Sequence, residues 1–138
     1  MPSGVLLMLR TARRRYAARY DDVYAVWRLA SAADLQQRGD AERAPIGIEL
    51  GMLFDPHDQS AGLHRHGLVV PIRRRNVVLL VEAVEDFLVQ PQIHAVPAVL
   101  RSRLLQMWTI GIVLLDDQPV MVLDVRAVAR SVMVMQSR

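Results

Sequence analysis

Apolar residues along this chain fall in short, dense runs separated by polar turns. Leu68-Val69-Val70-Pro71-Ile72 and Val77-Val78-Leu79-Leu80-Val81 are two such runs, and Arg73-Arg74-Arg75-Asn76 between them is short enough for a hairpin. A third run, Val84 to Val89, ends at Gln90-Pro91-Gln92, because proline has no N–H to give a sheet ladder. Ile110-Gly111-Ile112-Val113-Leu114-Leu115, the turn Asp116-Asp117-Gln118-Pro119 and Val120-Met121-Val122-Leu123 predict a second hairpin. Val5 to Arg10 and Pro45 to Leu50 also read as strands. Two short helices are predicted. One spans 97–106, with Pro97 in its first turn; the other spans 124–134, with Asp124 as N-cap and Val125, Val128 and Val132 at helical spacing. Short strands with short connections and no long helices predict a mainly β barrel or sandwich.

Two stretches are less clear. Tyr16, Tyr20, Val23, Tyr24 and Trp27 recur at three- and four-residue intervals, a local signal for an amphipathic helix. The competing reading is a strand over 15–19, a turn at Asp21-Asp22 and a strand over 23–29. Residues 30–44 have no strong apolar run and read as a loop or a polar helix. Residues 55–66, with Asp55-Pro56, Gly62 and three histidines, read as a polar surface linker.

The 138 residues fit one ordinary domain, and the hydrophobic fraction of 52% with only 5% aromatic describes an aliphatic core. With no cysteine, the sequence excludes disulfides, thiolate catalysis and cysteine-based zinc sites. All basic side chains are arginine, and a net charge of +3 does not demand a polyanionic partner. No run approaches the roughly 20 apolar residues that cross a bilayer. Val5 to Leu9 is too short for a signal-peptide core and reads as a buried strand.

Candidate chemistry is sparse. Glu82, Glu85, Asp86, Asp116 and Asp117 are carboxylates on strands or in turns, where solvation is their ordinary fate, and no Ser-His-Asp order stands in a nucleophile elbow. His57, His64 and His66, with Asp55 and Asp58, could gather round a metal, but they match no ligand signature, and a mobile polar loop is the simpler reading. His94 reads as a surface residue. Arg13-Arg14-Arg15 and Arg73-Arg74-Arg75, with Tyr16 and Tyr20 near the first, could bind single-stranded nucleic acid, but both triplets fall at predicted hairpin turns, where charge discourages edge pairing. The glycines form no phosphate-binding loop. Trp108 reads as a core anchor or an exposed contact.

From Gly67 to Met133 the order of elements resembles the second half of a CheW-like domain. The resemblance rests on Leu68 to Ile72, the turn Arg73 to Asn76, and Val77 to Val84 with its Val81-Glu82-Ala83-Val84 step. It continues through Pro97, Ile110-Gly111-Ile112-Val113, the turn Asp116-Asp117 and Val122-Leu123-Asp124-Val125. The first half matches more loosely, through Leu6 to Leu9, Arg15-Tyr16-Ala17, Val23-Tyr24-Ala25-Val26, Arg38-Gly39 and Pro45 to Leu50. Ala25 stands where family members carry a glutamate, and Ser31 to Gln37 replace an expected strand. The resemblance implies a mainly β fold of two small SH3-like barrels sharing a core, one spanning roughly 1–55 and the other 67–138, joined by the linker 55–66. It favours strands over 15–28. It also implies a non-enzymatic, cytoplasmic adaptor that needs no cofactor and has no membrane insertion. Its partners would be a CheA-like histidine kinase regulatory domain and a chemoreceptor cytoplasmic tip, with Tyr24, Val26 and Arg38 as protein-binding residues.

Overall fold

The computed structural model describes residues 4–30, 32–37, 44–60, 65–97 and 108–136. Nine strands and two helices follow one another along them: β1 Val5–Arg10, β2 Arg15–Arg19, β3 Ala25–Leu29, α1 Ala32–Gln37, β4 Ile46–Glu49, β5 Arg65–Ile72, β6 Arg75–Val81, β7 Ala83–Val89, β8 Thr109–Leu115, β9 Gln118–Leu123 and α2 Val125–Gln136. Single 3-10 turns occupy Tyr20–Asp22 and Gly51–Leu53. The helix expected over 97–106 lies almost wholly outside the described residues.

The strands form two sheets with a shared plan. One has the order β7-β1-β2-β9-β8, the other β3-β5-β6-β4. Each is built on a hairpin, β1–β2 or β5–β6, with an antiparallel strand outside the first arm and a parallel strand outside the second. In the first sheet, β8 pairs with β9 and completes the row. At the equivalent place in the chain before β4, the second sheet has α1 instead. A strand expected from the family pattern at Ser31 to Gln37 is therefore replaced by a helical turn over 32–37. Leu35 of that helix sits so close to Gly47 of β4 that a Cβ there would collide with it.

Both hydrophobic faces of the central strands are used, which explains the unbroken apolar runs. Leu7, Leu9, Tyr16, Ala18 and Leu123 of the first sheet face Leu68, Val70, Val77, Leu79 and Val81 of the second in one buried cluster. The inner side of α2 joins it through Val125, Val128, Ala129 and Val132. On its other face the first sheet encloses a second cluster, with Leu6, Met8, Ala17, Val113, Val120 and Val122. Leu88 of β7 packs there too, so the two edges of this sheet meet one core. The chain after β7 reaches β8 at His94, whose N–H and C=O pair with Ile112 at 2.7 and 2.8 Å.

The aromatic spacing over 16–27 did not mark one helical face. Tyr16 is buried in β2, whereas Tyr20 and Tyr24 are exposed, so these residues share no side to bury. Trp108 is the core anchor: it meets Phe54 edge-on at 5.5 Å, Phe54 stacks on Tyr16 at 5.2 Å, and the indole N–H donates to Ser131 Oγ at 3.0 Å. Asp124 caps α2, its Oδ1 accepting the Ala127 N–H at 3.1 Å.

Candidate protein-docking groove

Two edge strands meet at the most aromatic part of the surface. β3 ends one sheet and β7 ends the other. Between them lies a groove of about 390 Å³ lined by Tyr20, Val23, Tyr24, Val26, Val84 and Phe87, among others. Tyr24 is 78% exposed, and Tyr20, Val26 and Phe87 are also exposed. The rings of Tyr20 and Phe87 lie 6.0 Å apart, tilted at 54°. Large aromatics left in water together form the kind of patch that a partner covers, because their burial is the main source of interface energy.

Local structure explains why they stay outside. Tyr24 precedes β3, and its N–H donates to Val69 O at 2.8 Å, which fixes the backbone of the approach to that strand. Along β3 the alternation then puts Val26 and Arg28 out and Leu29 into the core. The Tyr20–Asp22 turn is held by Arg19, whose Nε donates to Asp22 at 2.8 Å. In β7 a register shift opposite Met8 and Leu9 leaves Glu85 unpaired in the ladder. Glu85 and Asp86 point to solvent, with Phe87 exposed beside them.

Of the residues singled out by resemblance, Tyr24 and Val26 lie together in this groove, and Arg38 lies outside the described residues. Sequence reasoning missed Tyr20 and Phe87. Their signal was an aromatic set directly against carboxylates, Tyr20-Asp21-Asp22 and Glu85-Asp86-Phe87, a neighbourhood that keeps a side chain at the surface.

The other candidate chemistry resolves into local structure. Asp58 is 1% exposed and accepts hydrogen bonds from Thr11 Oγ1 at 2.6 Å and from the Arg13 N–H at 3.0 Å. The expected mobile loop is thus pinned at Asp58 to the β1–β2 turn, and Arg65 and His66 belong to β5. The carboxyl of Asp55 accepts the His57 N–H and faces Arg13 and Arg14, each at 3.7 Å. That backbone hydrogen bond, more than the two arginines, holds its pKa below the usual carboxylate value. No three histidine or carboxylate side chains among the described residues are placed to hold a metal, and His64 lies outside them.

The first basic triplet is engaged throughout and the second only at Arg75, Arg73 and Arg74 being exposed. Arg13 and Arg14 face Asp55, Arg15 pairs with Glu85 at 3.3 Å, and Arg75 donates to Ala44 O at 2.7 Å. Tyr16 offers no base-stacking platform, because it is buried; burial pushes its phenol up to about 12.

No protein-family model matches the chain, and no curated protein sequence matches it. Solved structures do. The fold is CheW-like, a mainly β architecture of two sheets around a common core. The crystal structure of the scaffolding protein TtCheW from Thermoanaerobacter tengcongensis matches 90% of this chain and 85% of its own, with a TM-score of 0.65 and 18% sequence identity. Among the described residues no helix is long and apolar enough to cross a membrane.

Proposed function

We propose that this chain is a non-enzymatic adaptor of a chemotaxis-type signalling complex in the cytoplasm, coupling a chemoreceptor tip to the regulatory domain of a CheA-like histidine kinase. The observation that carries this reading is the aromatic groove between β3 and β7, in a fold it shares with a scaffolding protein. A scaffold works by presenting shape and apolar area. Tyr20, Tyr24, Val26 and Phe87 supply both, on two strand edges that also offer backbone N–H and C=O groups. The alternative, a barrel that binds single-stranded nucleic acid, has less support, because the triplet over 13–15 is spent on carboxylates.

Calorimetry with a purified receptor tip and a kinase regulatory domain tests the proposal. Tyr24→Ala and Phe87→Ala should each weaken binding of one partner by about 2 kcal/mol, close to thirtyfold, while leaving the melting temperature unchanged. Binding to neither partner, or binding indifferent to both substitutions, refutes it. Submicromolar, steeply salt-dependent binding to single-stranded DNA or RNA would make the alternative the better reading.

A further inference from the structure

A second groove, of about 510 Å³, lies where the β5–β6 turn meets α2. Its lining is mostly aliphatic, with Ile72, Met133 and Val134, and it carries three guanidinium groups, from Arg73, Arg126 and Arg130. It shares no residue with the aromatic groove.

The three arginines, with the neighbouring exposed Arg74, differ from most of the other described ones. Arg10, Arg13, Arg14, Arg15, Arg19 and Arg65 each face a carboxylate. Arg73, Arg126 and Arg130 have no acidic partner among the described residues, and all three are exposed. Arg126 and Arg130 are one turn apart on α2, a spacing at which like charges repel and weaken a helix. Among the described residues, three guanidinium groups that meet no carboxylate are thus gathered beside an apolar trough, two of them at a cost to the helix that carries them.

We propose that this groove docks an acidic segment of a partner protein, one that inserts a bulky apolar side chain and flanks it with carboxylates. Guanidinium forks meet carboxylates in bidentate pairs, and the aliphatic lining offers a seat for the anchor. The concave shape suits an inserted side chain; a bilayer surface is met by a projecting apolar face instead. Among the described residues its lining has no aromatic ring on which a nucleobase could stack.

The test uses the full chain. A phage-displayed random peptide library is first depleted on the Arg126→Glu/Arg130→Glu variant and then selected on the native chain. The expected peptides carry Asp or Glu on both sides of Leu, Phe or Trp. A fluorescent synthetic copy should bind the native chain, lose affinity as salt rises, and bind the double variant about tenfold or more weakly. Val134→Asp should weaken it as well, and Tyr24→Ala should leave it unchanged. Arg126→Gln/Arg130→Gln, which removes charge without adding repulsion, gives the same readout if the glutamate variant melts early. Selected peptides without acidic residues, or peptides that bind both double variants as well as the native chain, overturn the proposal. So does binding of oligo(dT) or phosphatidylserine vesicles that competes with the peptide and is lost in the same variants, since the groove would then be a general polyanion or lipid site.

Discussion

Removing the Asp58 carboxylate should destabilise the protein by about 3 kcal/mol. Its two hydrogen bonds, from Thr11 Oγ1 at 2.6 Å and the Arg13 N–H at 3.0 Å, involve a charged acceptor. Such bonds contribute roughly 1.5–3 kcal/mol each, so about 3–6 kcal/mol is at stake. Asp58→Ala also ends the burial of a charge, and the Arg13 amide at the partly exposed turn can turn to water; both bring the loss toward the lower bound. Against a total stability of about 5–15 kcal/mol this is a large fraction, and for a chain of this length it lowers Tm by roughly 10 °C. Asp58→Asn keeps one acceptor and should lose about half as much. Gly51 gives an independent check, because a Cβ there would lie 2.6 Å from Asp58 Cγ and Oδ2. Gly51→Ala should therefore be costly in the native chain and nearly harmless beside Asp58→Ala, with a coupling of about 1 kcal/mol or more in a double-mutant cycle followed by urea unfolding. A loss below about 1 kcal/mol for Asp58→Ala, or strictly additive effects in the cycle, would refute this account of how the 55–60 segment is held.

Three further outcomes are expected. Alkaline titration followed at 295 nm should show a tyrosine ionising near pH 12, absent in Tyr16→Phe. Because that folded pKa is raised from 10.0, the associated stability is fully present below pH 10 and lost as pH rises through about 12, so alkaline unfolding should ease over that window. Asp124→Ala should cost about 1 kcal/mol in urea unfolding, and Asp124→Asn much less, since the loss is that of an N-cap. Arg38→Ala should change stability by less than about 0.5 kcal/mol and weaken binding to the receptor tip or kinase domain by about 1–2 kcal/mol; unchanged affinity in calorimetry would remove Arg38 from the interface.

The sheet framework was legible where burial is two-sided. β1 and β6 are buried on both faces, so they read as unbroken apolar runs. The β8–β9 hairpin was equally plain: Asp116 and Asp117 both take positive φ, 50° and 63°, in its two-residue turn, a conformation that aspartate tolerates. Residues 15–29 were ambiguous because periodicity counts aromatics without telling buried Tyr16 from exposed Tyr20 and Tyr24. Asp58 was misread for a different reason. Its neighbours in sequence are polar, and the partners that bury it lie 45 and 47 residues away, on the β1–β2 turn. Half of the groove was visible through Tyr24 and Val26; the rest, Tyr20 and Phe87, needed the fold to bring β7 beside the start of β3.

That meeting of β3 and β7 follows from the shared plan of the two sheets. Each strand is the outermost partner of its sheet's central hairpin, β3 against β5 and β7 against β1. Packing the two hairpins face to face through Leu7, Leu9, Leu68 and Val70 sets these equivalent edges on either side of one groove. Free edges invite pairing with any passing strand, and charge restrains it. Asp86 on β7 and Arg28 on β3 place charge there, while Tyr24, Val26 and Phe87 remain exposed. An edge guarded in this way admits a partner whose apolar anchors match the aromatics and whose charges match the guards, the selectivity that the proposed adaptor role requires.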